Sequence, residues 1–195
     1  MTPEKIEQKQ ESKDVTTDKK SEKKVAATMV AERVLTENSD AARVFYEQSR
    51  FGAISRQRVR LTFIEALFLF EKGKLDILDK RGRPMSEEQF VRRAEKIESM
   101  FWIKYCVFKD LRNRGFIVKT ALKFGADFRV YERGVKPGED HAKWIVYPVH
   151  EGSTMTWYEF SAKNRVAHST KKHLLIGVVD EEDSVTYYDI KWIRP

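Results

Sequence analysis

The sequence predicts an α+β protein of two small domains: an N-terminal mixed α/β domain and a C-terminal domain in which a mixed sheet packs on a helix. Three observations carry this. The last 80 or so residues read strand, strand, strand, helix, strand, strand. A long segment with an apolar stripe lies between the two halves and reads as a bridging helix. The chain has 195 residues, 41% of them hydrophobic, enough for a core, and 34% charged. The expected boundaries are a disordered charged tail at 1–27, an N-terminal domain at 28–112 that includes most of the bridging helix, and a C-terminal domain at 113–195.

Residues 1–27 are rich in Lys, Glu, Gln, Ser and Thr and carry hardly any large apolar side chains, so they cannot bury enough surface to offset the entropy of ordering. The lysines of DKKSEKK also fit a non-specific RNA-contacting arm, but the acids among them favour a plain solvated tail. Met29–Leu35 reads as a first strand, and Ser39-Asp40 as the cap of a short helix or turn. Ser49–Arg60 carries four arginines and a bend at Gly52, which suits RNA contact and a solvated connector equally. Leu61–Lys72 is apolar on most faces and stops at Gly73, as a buried helix would, and a strand at Lys74–Leu78 follows.

Ser86 with Gln89 forms a capping box that opens the bridging helix. Phe90, Ala94, Ile97, Phe101, Tyr105, Phe108 and Leu111 then recur at steps of three and four, one uninterrupted stripe up to a stop at Gly115. Phe116–Leu122, Asp127–Arg133 and Lys143–Val149 read as strands. Thr156 with Glu159 makes a second capping box for a helix running to about His168, and Leu174–Asp180 and Val185–Trp192 form a hairpin. Its loop is Asp180-Glu181-Glu182-Asp183. His150 falls in a loop, His168 near a helix end as a structural cap, and His173 at the start of a strand.

Composition excludes several classes of function. The single cysteine, Cys106, lies in an apolar helical stretch and reads as core, so neither an intrachain disulfide nor a Cys-based zinc site is available. No histidine pair has metal-ligand spacing, and there is no P-loop, dinucleotide fingerprint or nucleophile elbow, so the expectation is no metal and no cofactor. No run has the length of a membrane span, and the polar N-terminus lacks a signal-peptide apolar core, which points to the cytoplasm. A net charge of +7 fits a polyanionic partner.

The stretch FGADFRVYERGVKPGEDH, Phe124–His141, is the most distinctive. Tyr131 ends an alternating strand, His141 ends the loop that follows, and Lys172 comes after the next helix. A phenol, an imidazole and a fixed cation together can accept a proton, donate one and stabilise charge at a phosphodiester. Taken alone, the same residues fit a tyrosine packed at a strand end, a solvated loop histidine and a lysine capping helix carbonyls.

The runs DLRNRGFIVKTALKFGADFRVYERG and RVAHSTKKHLLIGVVD, with His141 between them, closely resemble the archaeal tRNA-splicing endonuclease, and the resemblance extends from about Met29 to Pro195. It implies that the C-terminal domain is the family's nuclease domain. By that resemblance Tyr131 matches the general base, His141 the general acid and Lys172 the cation at the transition state; only the register of RVAHSTKK selects Lys172 over Lys171. It further implies that Arg165 and Trp192 stack on a bulged base, working across two subunits. It implies too that Asp180, Glu181, Glu182 and Asp183 dock in a basic cleft of another subunit.

The expectation that follows is a metal-independent endonuclease. It would cut precursor tRNA at both splice sites of a bulge–helix–bulge and leave a 2′,3′-cyclic phosphate and a 5′-hydroxyl. Its partners would be precursor tRNA and further copies of itself, as a homotetramer built from two dimers. A non-catalytic structural subunit of a heteromeric splicing endonuclease and a general RNA-binding module are the alternatives. The presence of Tyr131, His141 and Lys172 argues against the first, and the second explains the charge but not the motifs.

Overall fold

The computed structural model describes residues 24–193. Residues 1–23, most of the expected charged tail and its possible RNA arm, lie outside the described residues. The sheet begins at Val25, inside the stretch assigned to that tail: β1 is Val25–Val30 and β2 is Arg33–Thr36. They pair antiparallel, so the single strand expected over Met29–Leu35 is a hairpin. The reason is visible in the burial phase. Val25, Ala27 and Met29 face inward, then Val34 and Thr36, so the parity flips across a turn where Ala31 takes φ 48°.

Ser39 caps α1, Asp40–Glu47, its side chain accepting from the Ala42 N–H. The arginine-rich stretch is not a solvated connector but a second hairpin, β3 (Ala53–Ser55) and β4 (Arg58–Leu61), closed by Arg56 and Gln57 in left-handed conformation. Gly52, at φ 60°, enters it so close that a Cβ would stand 2.5 Å from the Arg60 carbonyl oxygen. Thr62 and Glu65 make a capping box for α2, Phe63–Glu71. The buried Glu65 carboxylate also accepts from the Gly52 N–H at 2.8 Å, tying hairpin to helix. With β5, Leu75–Leu78, parallel to β1, the first sheet has the order β3-β4-β2-β1-β5.

The uninterrupted bridging helix is also corrected. It is two helices, α3 (Glu87–Ile97) and α4 (Phe101–Asn113), separated where Glu98 is extended and Met100 is left-handed at φ 55°. The apolar steps run through the break, so periodicity could not register it. Ile97 and Met100 are each 48% exposed, so the stripe is not buried there. The break lets both helices pack on α2. Phe63, Phe90, Phe101 and Phe108 are fully buried at this junction, each contributing ~1.5–3 kcal/mol relative to exposure. A chain of rings, Phe68–Phe108–Phe128, carries the core across into the second sheet with centroids 5.9 Å apart at both steps.

That sheet contains β6 (Ile117–Ala121), β7 (Ala126–Tyr131), β8 (Trp144–His150), β9 (His173–Val179) and β10 (Val185–Ile190), in the order β10-β9-β8-β7-β6. Only β8 and β9 pair parallel, which requires a crossover, and α5 (Trp157–Ser169) supplies it. Val118, Phe128, Val130, Val146 and Leu175 face the α4 side, while Ile145, Tyr147 and Leu174 join Ala167 of α5 on the other. The sheet is thus covered on both faces. His150 is the last residue of β8 rather than a loop residue. Trp192 lies beyond the end of β10 instead of within it.

Candidate active site

β7 ends at Tyr131 because its alternation of Phe128 and Val130 inward stops there and the polar run Glu132-Arg133-Gly134 follows. Val130 pairs with Trp144 of β8, and its carbonyl accepts from the Lys143 N–H at 2.9 Å. On the far side of β8, Trp144 pairs with His173, and the Lys143 carbonyl accepts from the His173 N–H at 2.9 Å. Tyr131, Lys143 and Lys172 therefore stand at one end of three neighbouring strands. Two strand spacings separate the Tyr131 and Lys172 backbones, roughly 10 Å. The loop 132–143 springs from the same end and carries His141, which is exposed. A Glu132–Lys143 ion pair closes the base of that loop. Within it Lys136 pairs with Glu139, and the His141 N–H donates to the Asp140 carboxylate at 2.6 Å.

Tyr131 itself is buried. The Lys172 ammonium donates to the Thr170 carbonyl at 2.8 Å. Its pKa lies below that of an ordinary lysine, chiefly through burial and then through the neighbouring Arg129 guanidinium. Arg129 is the residue sequence reasoning missed. It stands two positions before Tyr131 on β7, hence on the same face, with its guanidinium carbon 5.9 Å from the Tyr131 ring. Among the described residues its Nε, which is buried, has no hydrogen-bond partner. Strand parity counted back from Tyr131 was the signal that could have found it.

Lys172 also lines a cavity of about 290 Å³ that it shares with His168, Lys191 and Trp192, among others. The His168 ring packs on Trp192 at 4.5 Å between centroids. Its expected capping role belongs instead to the Thr170 hydroxyl, which donates to the Val166 and Ala167 carbonyls. Arg165 is exposed on α5, one turn before His168. Trp192 and Lys172 line that cavity, whereas Tyr131, His141 and Arg165 do not. His173, at the head of β9, pairs with Asp189 at 3.1 Å.

The four acids of the β9–β10 loop divide into two kinds. The Asp180 carboxylate accepts from the Glu182 and Ser184 N–H groups, both at 2.9 Å, and so builds the turn. Asp183, left-handed at φ 61°, accepts from the Trp102 indole N–H at 2.6 Å and faces the Cys106 thiol at 3.5 Å. Burial first, and Asp183 second, push that thiol up to about 12. Glu181 and Glu182 are the outward pair, with the Glu181 carboxylate 3.6 Å from the His150 ring. Among the described residues no group of three or more His, Cys, Asp or Glu side chains could hold a metal ion.

Two α+β halves joined by a shared aromatic core, with polar groups gathered at one strand end of the second, define a two-domain α+β protein with a candidate site at that strand end. The sequence profile described as "tRNA intron endonuclease, N-terminal domain" matches residues 25–91, and that described as "tRNA intron endonuclease, catalytic C-terminal domain" matches residues 101–187. The chain is 39% identical over 163 residues to a tRNA-splicing endonuclease of Thermococcus onnurineus, covering 84% of this chain and 93% of the relative. It is 41% identical over 164 residues to that of Methanothermobacter thermautotrophicus, covering 84% and 95%. The protein of the same name from Nanoarchaeum equitans is 42% identical over 141 residues, covering 69% and 90%. The chain belongs to the tRNA intron endonuclease family.

Proposed function

We propose that this chain cuts precursor tRNA at both splice sites of a bulge–helix–bulge, using the RNA's own 2′-hydroxyl as nucleophile. Tyr131, as phenolate, takes the 2′-hydroxyl proton; O2′ attacks phosphorus, and the bond to the 5′-oxygen breaks. His141, as imidazolium, gives its proton to that departing oxygen. The Lys172 ammonium stabilises the charge gathering on the non-bridging oxygens. The products are a 2′,3′-cyclic phosphate and a 5′-hydroxyl, and no step calls for a metal ion. The observation that carries this reading is the strand register that sets Tyr131, the loop of His141 and Lys172 at one end of β7, β8 and β9. Arg165 and Trp192 serve the bulged base, one from each of two subunits.

Two cuts at a fixed spacing require two sites held apart, so the working form is a homotetramer of paired dimers. β10 is an edge strand and carries Tyr188, 57% exposed, a surface that pairing with a second copy would cover. Glu181 and Glu182 supply the charge that docks on the neighbouring dimer. Among the described residues no helix is long and apolar enough to cross a membrane, and the protein works in the cytoplasm. Incubating the pure chain with a bulge–helix–bulge RNA in EDTA tests the whole reading. Two cuts and cyclic-phosphate ends are expected; binding without cleavage would reduce the chain to an RNA-binding or structural subunit.

A further inference from the structure

We propose that the N-terminal domain carries a second RNA site, a basic groove between the turn at 79–84 and α3 that takes the phosphodiester backbone of the substrate away from the splice sites. The inference rests on the substrate class named above. The groove has a volume of about 600 Å³ between Lys80, Arg81 and Arg83 of the turn and Arg93 and Lys96 of α3. A second groove of about 460 Å³ continues it past Arg83 and Arg93 to Arg92. Asp79 lines both grooves, whereas the acids of α3, Glu87, Glu88 and Glu95, line neither.

The turn that presents these cations is held by its own hydrogen bonds. The buried Asp79 carboxylate accepts from the backbone N–H groups of Arg81 and Arg83 at 2.8 and 3.0 Å and from the Arg83 Nε at 2.9 Å. The Asp79 N–H in turn donates to the Arg83 carbonyl at 2.8 Å. Those bonds, foremost the one from the Arg83 backbone, hold the Asp79 carboxyl down to about 2, so its charge is engaged with Arg83 at neutral pH. On α3, Lys96 stands three and four residues after Arg93 and Arg92, so it shares a side of the helix with each of them. Among the described residues, Lys80, Arg81, Arg92, Arg93 and Lys96 make no ion pair with any carboxylate.

Five like charges gathered around two continuous grooves repel one another, and an external polyanion relieves that repulsion. Guanidinium forks match phosphate oxygens, and a row of them follows a backbone without reading its bases. A precursor tRNA extends well beyond its splice sites, whereas an isolated bulge–helix–bulge does not. Catalysis takes place in the other domain, so this groove adds affinity without touching the chemistry.

The test compares wild type with the quadruple variant Lys80→Gln, Arg81→Gln, Arg93→Gln, Lys96→Gln, leaving Arg83 in place to hold Asp79. Binding to full-length precursor tRNA and to a short bulge–helix–bulge RNA is measured across a salt series, with circular dichroism to verify the fold. The variant is expected to bind the full-length RNA on the order of tenfold more weakly at physiological salt. Its slope of log affinity against log salt should be shallower by about 2–4, because each lost phosphate contact removes close to one. The short RNA is expected to be bound and cut as by wild type. An unchanged salt slope on the full-length RNA overturns the proposal, as does an equal loss on both RNAs, which would mean general steering. Loss of self-association with RNA binding otherwise intact assigns the groove to an acidic surface of a second copy and also overturns it. If wild type cuts neither RNA, the proposed function fails, yet the slope difference on the full-length RNA still decides the groove.

Discussion

Two loops of the second sheet make an instructive pair. The loop 180–184 joins β9 to β10 and the loop 132–143 joins β7 to β8; they lie at opposite ends of the sheet, roughly 20 Å apart along β9. In the first, two of the four acids are consumed locally, Asp180 in building the turn and Asp183 in accepting from Trp102, while Glu181 and Glu182 face outward. In the second, the ion pairs sit at the base and in the middle of the loop, and His141 is left exposed at the end where Arg129 and Lys172 crowd together beside Tyr131. A carboxylate satisfied by its own fold, as these two aspartates are, holds structure. At the other strand end the Arg129 guanidinium lies near enough to Lys172 to lower its pKa, and the proposed function places the RNA phosphate beside these two cations.

The comparison is broken most severely at His141. His141→Ala is expected to lower the cleavage rate by ~10²-fold or more at unchanged RNA affinity, read in single-turnover assays alongside binding. Equal loss of rate and affinity would make His141 an RNA holder instead. At the other loop, Asp183→Ala is expected to leave the chemistry alone and cost ~1–2 kcal/mol of stability, from the lost indole hydrogen bond and the left-handed backbone. Chemical denaturation checks this, and an unchanged midpoint would contradict it.

Glu181→Gln with Glu182→Gln, sparing the two structural aspartates, is expected to weaken assembly while each protomer stays folded. Size-exclusion chromatography with a cleavage assay reads both, and raised salt should act on wild type in the same direction. The smallest effect is a shift in pH dependence. Burial and Arg129 lower the Lys172 pKa, so as pH rises its cation is lost earlier than that of an ordinary lysine. Arg129→Gln removes one of those two causes and should move the alkaline limb of the pH–rate profile upward; an unmoved limb would mean Arg129 does not act on Lys172.

Local chemistry was legible in the sequence, and distance along the chain is what hid the rest. The Ser86–Gln89 and Thr156–Glu159 boxes start helices where their spacing says they should. The strand ending at Tyr131 follows from its alternation. The break at Met100 was hidden because helix packing, not local propensity, selects a left-handed residue inside a continuous apolar stripe. The hairpin at Ala31 was readable only as a change of burial parity, which needs the sheet to be known. Trp102 and Asp183 are 81 positions apart, and no spacing rule joins them. At the candidate site the family resemblance named Tyr131, His141 and Lys172, while Arg129 belongs to no motif and is found only by counting strand parity back from Tyr131.

The central claim is that the RNA supplies the nucleophile and this strand end supplies the proton acceptor, the proton donor and the positive charge. A bulge–helix–bulge substrate with a single 2′-deoxynucleotide on the 5′ side of one scissile phosphate tests it most directly. That junction should resist cutting completely while the unmodified junction of the same molecule is cut at its usual rate. Cleavage at the deoxy junction, leaving a linear phosphate, would show that water is the nucleophile and contradict the account.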